Sequence, residues 1–230
     1  MHVPDGFLTA PVSVATGAVA AGGVALAIRG ARKELDEKTA PMAGLVAAFI
    51  FAVQMMNFPV GAGTSGHLMG GVLAAILVGP YTGALCVTVV LIVQGLLFAD
   101  GGLTALGTNI VLISLVTIFG GWAIFRVLIR ALPKSRVGLL TSGGIAAFLS
   151  VPLAALVFVL LYLLGGAVDI DVGALTATML GVHVLVGIGE ALITVAVVGA
   201  VVSARPDLVY GARHLTPELT LRTGQKESAS

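Results

Sequence analysis

Apolar positions along this chain do not alternate with polar ones. They gather in long runs separated by short polar or glycine-rich breaks. The runs cover roughly 8–29, 40–58, 67–79, 80–98, 107–130, 138–164 and 174–203. A helix needs about 20 residues to cross a hydrocarbon core, so six runs predict spanning helices. The third is short. Gly79-Pro80 separates it from the fourth, and it reads as a tilted or partial helix opening at His67. The pattern predicts an all-α polytopic membrane protein of about seven transmembrane helices.

Composition agrees with that pattern. Of 230 residues, 58% are hydrophobic and 10% charged, against about 25% charged in soluble domains. Mean hydropathy is +1.10. The 31 glycines suit close helix packing in lipid. Cys86 is the single cysteine, which excludes a disulfide framework and a cysteine-based metal site. The first 28 residues hold no Lys or Arg, so the start does not resemble a secretory signal and is expected to be mature as written.

Charge placement orients the runs. Arg29, Arg32, Lys33 and Lys38 follow the first. Arg126, Arg130, Lys134 and Arg136 join the fifth and sixth. Arg205, Arg213, Arg222 and Lys226 lie beyond the seventh. Seven spans bring all three clusters to one side, which the positive-inside rule makes cytoplasmic. The N-terminus is then outside and the C-terminus inside. Residues 1–204 form one transmembrane domain and 205–230 a polar cytoplasmic tail. In the first run Gly17, Ala18, Ala21, Gly22 and Ala25 make a small-residue stripe suited to packing within the chain or against a partner.

The chemistry is narrow. No phosphate-binding Gly-x-x-x-x-Gly-Lys-Ser/Thr loop occurs, nor a Ser-His-Asp or Cys-His set, so the chain is not read as an enzyme. Any ATP hydrolysis belongs to separate subunits. The break Gly61-Ala-Gly-Thr-Ser-Gly-His-Leu-Met-Gly-Gly71 carries His67. His214 falls in the tail and reads as solvated. His2 stands on the same side as His67. A free α-amine on Met1, the backbone nitrogen of His2 and its Nδ1 can chelate one cation in five- and six-membered rings. His67 can add a fourth nitrogen. Square-planar nitrogen coordination points to Cu(II) or Ni(II). The bulky His2 side chain is expected to keep Met1 in place. Composition alone equally allows His2 to be an incidental residue of an exposed terminus.

Other polar groups cluster near this side. Asn57, Thr64, Ser65, Gln94, Asp100 and Asn109 could orient metal ligands or simply bond helix to helix. Pro4, Asp5 and Gly6 form a turn that can fold the terminus back. His183 and Glu190 lie two helical turns apart on one face. They read as an intramembrane polar pair satisfied by neighbouring helices, or as part of an ion path, since a charge near the membrane centre costs about 2.5–3.5 kcal/mol.

Met1-His2-Val3-Pro4-Asp5-Gly6-Phe7-Leu8 resembles the N-terminal signature of the CbiM/NikM family. The likeness continues in Gln54-Met-Met-Asn-Phe-Pro59, Gly63-Thr-Ser-Gly-His-Leu68, Gln94 to Leu103, Leu106-Gly-Thr-Asn109 and Gly187 to Thr194. Members are substrate-capture membrane subunits of energy-coupling-factor cobalt and nickel transporters. The resemblance implies a metal held by Met1, His2 and His67, with Ni(II) or Co(II) as bound substrate and no organic cofactor. It implies a transmembrane coupling subunit, two cytoplasmic ATPase subunits and a small accessory membrane protein as partners, in a prokaryotic plasma membrane; no nucleic-acid partner is expected. Pro4-Asp5 is similar to nickel-type members. Leu112 stands where many members carry a second amide. Two alternatives remain: a membrane metal sensor that does not translocate, and a stand-alone ion-coupled permease.

Overall fold

The structure is a computed structural model describing residues 2–37, 39–56, 58–61 and 64–215, without the side chains of 58–61, 64–65 and 214–215. Met1, Lys38 and Asn57 lie outside the described residues, as do the side chains of Thr64, Ser65 and His214.

Seven helical segments appear where the apolar runs place them. They are α1 (Ala10–Ala31), α2 (Thr39–Gln54), α3 (Gly71–Val78), α4 (Pro80–Leu97), α5 (Leu106–Ala131), α6 (Arg136–Gly165) and α7 (Val172–Ala204). Five are long and apolar enough to cross a membrane: α1, α4, α5, α6 and α7. The 16-residue α2 is shorter. Local chemistry sets several starts. Pro11 and Pro80 occupy first-turn positions, where a missing N–H costs nothing. Ser135 and Asp171 cap α6 and α7 by accepting from Gly138 N and Ala174 N.

The third run departs from a spanning helix. Eight residues of α3 rise about 12 Å, well short of a core about 30 Å thick. That run opens instead as the coil His67–Gly70, and an antiparallel hairpin, Phe58–Gly61 with Thr64–Gly66, precedes it. The chain reverses at Gly79, whose φ of +96° favours glycine. A Cβ on Gly83 would stand 3.1 Å from the Ala74 backbone, so α3 and α4 meet almost backbone to backbone. Every residue of α3 is buried. It is the centre around which the longer helices stand.

Among those, α6 and α7 run against each other along their length. Gly187 lies on the Phe148 carbonyl and Gly144 on Val195, the close approach that small residues allow in lipid. The middle of α5, Ile110–Gly120, is wound as a π-helix, a form that often marks functional regions. Leu112 is fully buried there, so the position lacking an amide is dry core. On α1, Gly17 receives Gly107 of α5, while Ala18, Ala21, Gly22 and Ala25 face outward.

Residues 205–215 continue past α7 against the bundle. Short 3-10 turns at Pro206–Leu208 and Tyr210–Leu215 follow α7. Val209 and Ala212 are buried, and Gly211 fits against Ile76 and Phe125. Apolar Val209, Gly211 and Ala212 between Arg205 and Arg213 explain why this polar-looking stretch docks.

Candidate metal site

The first residues form a strap laid into the bundle. Asn109, at the start of α5, holds Val3 as a strand neighbour would: Oδ1 accepts from Val3 N at 2.7 Å and Nδ2 donates to Val3 O at 3.2 Å. Gly102 N also donates to Val3 O, at 2.9 Å. Farther along, Thr9 N donates to Gly165 O and Ala167 N to Phe7 O, both at 2.9 Å. The Phe7 ring sits 5.4 Å from Phe158 and 5.8 Å from Tyr162. Asp5 accepts from Thr104 N and the Thr104 hydroxyl, which lowers its carboxyl pKa.

The receptor for this strap is Gly101-Gly102. A Cβ on Gly102 would fall 2.3 Å from Asp5 N, and one on Gly101 would fall 3.1 Å from His2 Cδ2. Gly70 and Gly71 lie against Ile50 and Thr117 instead. Asp100-Gly101-Gly102 was legible as a glycine pair beside an acid, but nothing local says which segment it receives.

Seated this way, His2 is 4% exposed and His67 1%. Their rings face each other with centroids 4.5 Å apart and planes tilted by 30°. His67 Nδ1 lies 2.8 Å from Leu68 O. Since a carbonyl only accepts, Nδ1 carries the proton and Nε2 presents its lone pair. His67 Nε2 and both His2 nitrogens are buried without a hydrogen-bond partner. His2 Nδ1 approaches Asp100 Oδ1 at 3.2 Å, a contact that favours the protonated ring. Burial lowers the His2 pKa from 6.5, with Asp100 opposing, so the ring is held neutral, the state that ligates metal.

The polar groups named from sequence divide. Gln94 and Asp100 stand beside His2, and Asn109 holds the strap. Gln54, at the end of α2, donates to Met69 O at 2.7 Å. Asn57 and the side chains of Thr64 and Ser65 fall outside the described residues.

His183 and Glu190 are both buried on α7 but do not bond to each other. Two turns of helix separate them by about 10 Å, so each takes a nearer partner. His183 Nδ1 lies 2.7 Å from Met179 O, leaving Nε2 without one. Glu190 accepts from Met69 N at 2.8 Å and Gly70 N at 2.6 Å. Irregular backbone at membrane depth survives only where the protein satisfies it. Glu190 and Gln54 do so for the coil that carries His67.

Among the described residues no three His, Cys, Asp or Glu side chains gather into a metal cluster.

The profile of CbiM, described as the cobalt uptake substrate-specific transmembrane region, matches residues 2–208. The chain belongs to the CbiM family. This CbiM-family chain is 39% identical to a putative metal transport protein of Haloquadratum walsbyi, over 96% of the chain and all of that relative. It is 36% identical to a putative fused nickel transport protein NikMN of Archaeoglobus fulgidus, over 91% of the chain and 68% of the relative. The crystal structure of a truncated transition metal transporter superposes with a TM-score of 0.82 at 28% identity, covering 89% of this chain and 99% of that one. The CbiM-family chain is thus a predominantly helical, membrane-integral protein of a transition-metal transport family.

Proposed function

We propose that this protein captures Ni(II), with Co(II) next in preference, as the substrate subunit of an importer driven by ATP hydrolysis in separate subunits. The metal would be held by the Met1 amine, the backbone and Nδ1 nitrogens of His2, and His67 Nε2. The observation that carries this reading is the buried, face-to-face pair of His2 and His67, in which three of four ring nitrogens lack a hydrogen-bond partner. Leaving a buried polar group unmet costs about 1–3 kcal/mol, and a cation is the ligand that lone pairs seek.

Ligand chemistry supports nickel. An amide nitrogen joins only after losing its proton, and four nitrogens in a plane suit Ni(II) better than a hard cation. The relative from Archaeoglobus fulgidus is named as a fused nickel transport protein. Partners would be a transmembrane coupling subunit, two cytoplasmic ATPases and a small accessory membrane protein, with the N-terminus outside and the C-terminus inside. Metal entering from outside would close the strap over itself, and ATP-driven rearrangement would open it inward.

Radioactive nickel uptake into vesicles tests this. Uptake is expected only with the coupling subunit, the ATPases and ATP present. Uptake by this chain alone would replace the reading with a stand-alone permease. Tight binding without uptake in the full assembly would replace it with a sensor.

A further inference from the structure

At the end of the bundle that carries the basic clusters, α1, α4 and α5 border an open cleft of about 670 Å³. The wall runs from Gly23 on α1 to Lys33 in the turn beyond it, with about 12 Å of helix from Gly23 to Ala31. That is close to the depth of one leaflet, half of a hydrocarbon core about 30 Å thick. The deep part is apolar, with Leu26, Leu115 and Phe119. The mouth is polar, with Arg29, Lys33, Tyr81 and Tyr210.

The mouth has a net positive face. Arg29 and Lys33 are exposed, and no ion pair is found for either among the described residues. Glu34 also lines the cleft, but it is buried and its oxygens are engaged, accepting from Tyr81 N at 3.3 Å and Thr82 N at 2.7 Å. Arg213 lies 4.2 Å over the Tyr210 ring, and Arg126 is close enough to act on the Tyr210 hydroxyl. Trp122 sits 5.8 Å from the same ring. Tyrosine and tryptophan at one level mark a membrane–water boundary. Gly30 lets the Tyr81 ring lie directly on α1, 5.6 Å from Phe119, which floors the cleft.

The geometry points to a site for an anionic phospholipid, with one acyl chain between Leu26 and Phe119 and its phosphate at Arg29 and Lys33. Basic pockets between helices on the positive side of a membrane hold acidic headgroups in this way. Lipid fits better than a protein segment because the cleft opens sideways along α1, whose Val19, Leu26 and Ile28 are exposed, and because its charge lies at headgroup level. The proposal requires only that the chain is embedded in a bilayer, not that it binds metal.

Native mass spectrometry of the full chain in detergent, with equal phosphatidylglycerol and phosphatidylcholine of matched acyl chains, tests it. Retention of phosphatidylglycerol over phosphatidylcholine by about 30-fold is expected from two basic side chains near the surface. Arg29→Gln with Lys33→Gln should bring the ratio near one. Arg130→Gln with Lys134→Gln, away from the cleft, should leave it unchanged. Equal retention of both lipids by the unaltered chain would overturn the proposal, as would an equal loss from the distant pair. A photo-crosslinking group at Leu26, in membranes holding the complete transporter, should label phospholipid; labelling a protein there instead would also overturn it.

Discussion

The two ends of α3 are built with one device and left in different states. At the Gly79-Pro80 turn, Glu34 reaches across from the end of α1 and accepts from the first N–H groups of α4. At the other end, Glu190 reaches from α7 to the N–H groups of Met69 and Gly70. Both carboxylates answer the unpaired donors and positive end of a helix start. Around Glu34 the polarity is nearly closed, with the Thr82 hydroxyl left over. Around Glu190 and the strap, His2, His67, His183, Gln54 and Gln94 all keep buried polar atoms without partners. A scaffold satisfies its polar groups, and a binding site holds some back for the ligand. On the proposed function, one end of α3 is support and the other is the place where metal would be received.

Four substitutions and a titration can break or sharpen that contrast. The largest effect should come from His67→Ala, which removes a proposed ligand. Nickel affinity by calorimetry should fall by about 100-fold or more, beyond the 10–100-fold usual for groups that only orient ligands, with folding intact. Gly102→Ala should follow. Its Cβ would collide with the backbone of Pro4 and Asp5, at a cost of about 1–3 kcal/mol, so the strap should lift and nickel affinity fall by about 5- to 150-fold. An unchanged affinity would separate the strap from the metal.

Glu190→Gln and Glu34→Gln then test the contrast itself. Each leaves an N–H facing an amide donor, costing about 1–3 kcal/mol of stability, and both should lower the melting temperature. Only Glu190→Gln should also weaken nickel binding, by about tenfold, because the coil it holds positions His67. Equal affinity losses in both variants would erase the distinction.

The smallest effect is on pH. Burial lowers the His2 pKa below 6.5, so the unseated strap binds a proton more readily than the seated one. Seating is fully favoured above pH 6.5 and weakens as pH falls below it. In metal-free protein, proteolysis near Pro4 should accelerate severalfold below pH 6.5 and be flat above it. His2→Ala should remove that dependence.

Much of this was readable in the sequence because a membrane writes its demands locally. Hydrocarbon requires continuous apolar helix, so 107–130 appears as Leu106–Ala131 and 138–164 as Arg136–Gly165. His2 and His67 stood out because chelation by a chain terminus depends on adjacent atoms. The contacts between distant segments were not legible. Glu34 looked like one more charge in the basic stretch from Arg29 to Lys38, and nothing near it in sequence announces Tyr81 and Thr82. Gly101-Gly102 and Asn109 receive Val3 across more than 90 residues of chain. His183 and Glu190 share a helix face, which suggested a pair, but their partners are a carbonyl one turn away and a coil from another part of the chain.

The central claim is that the metal sits between the chain's own first residues and His67. X-ray absorption and magnetic measurement on nickel-loaded protein test it most directly. The account predicts a yellow, diamagnetic, square-planar centre with four nitrogen donors, lost when one residue is added before Met1 and lost again in His67→Ala. A six-coordinate, paramagnetic, oxygen-rich nickel centre, or an unaltered spectrum in the extended protein, would contradict it.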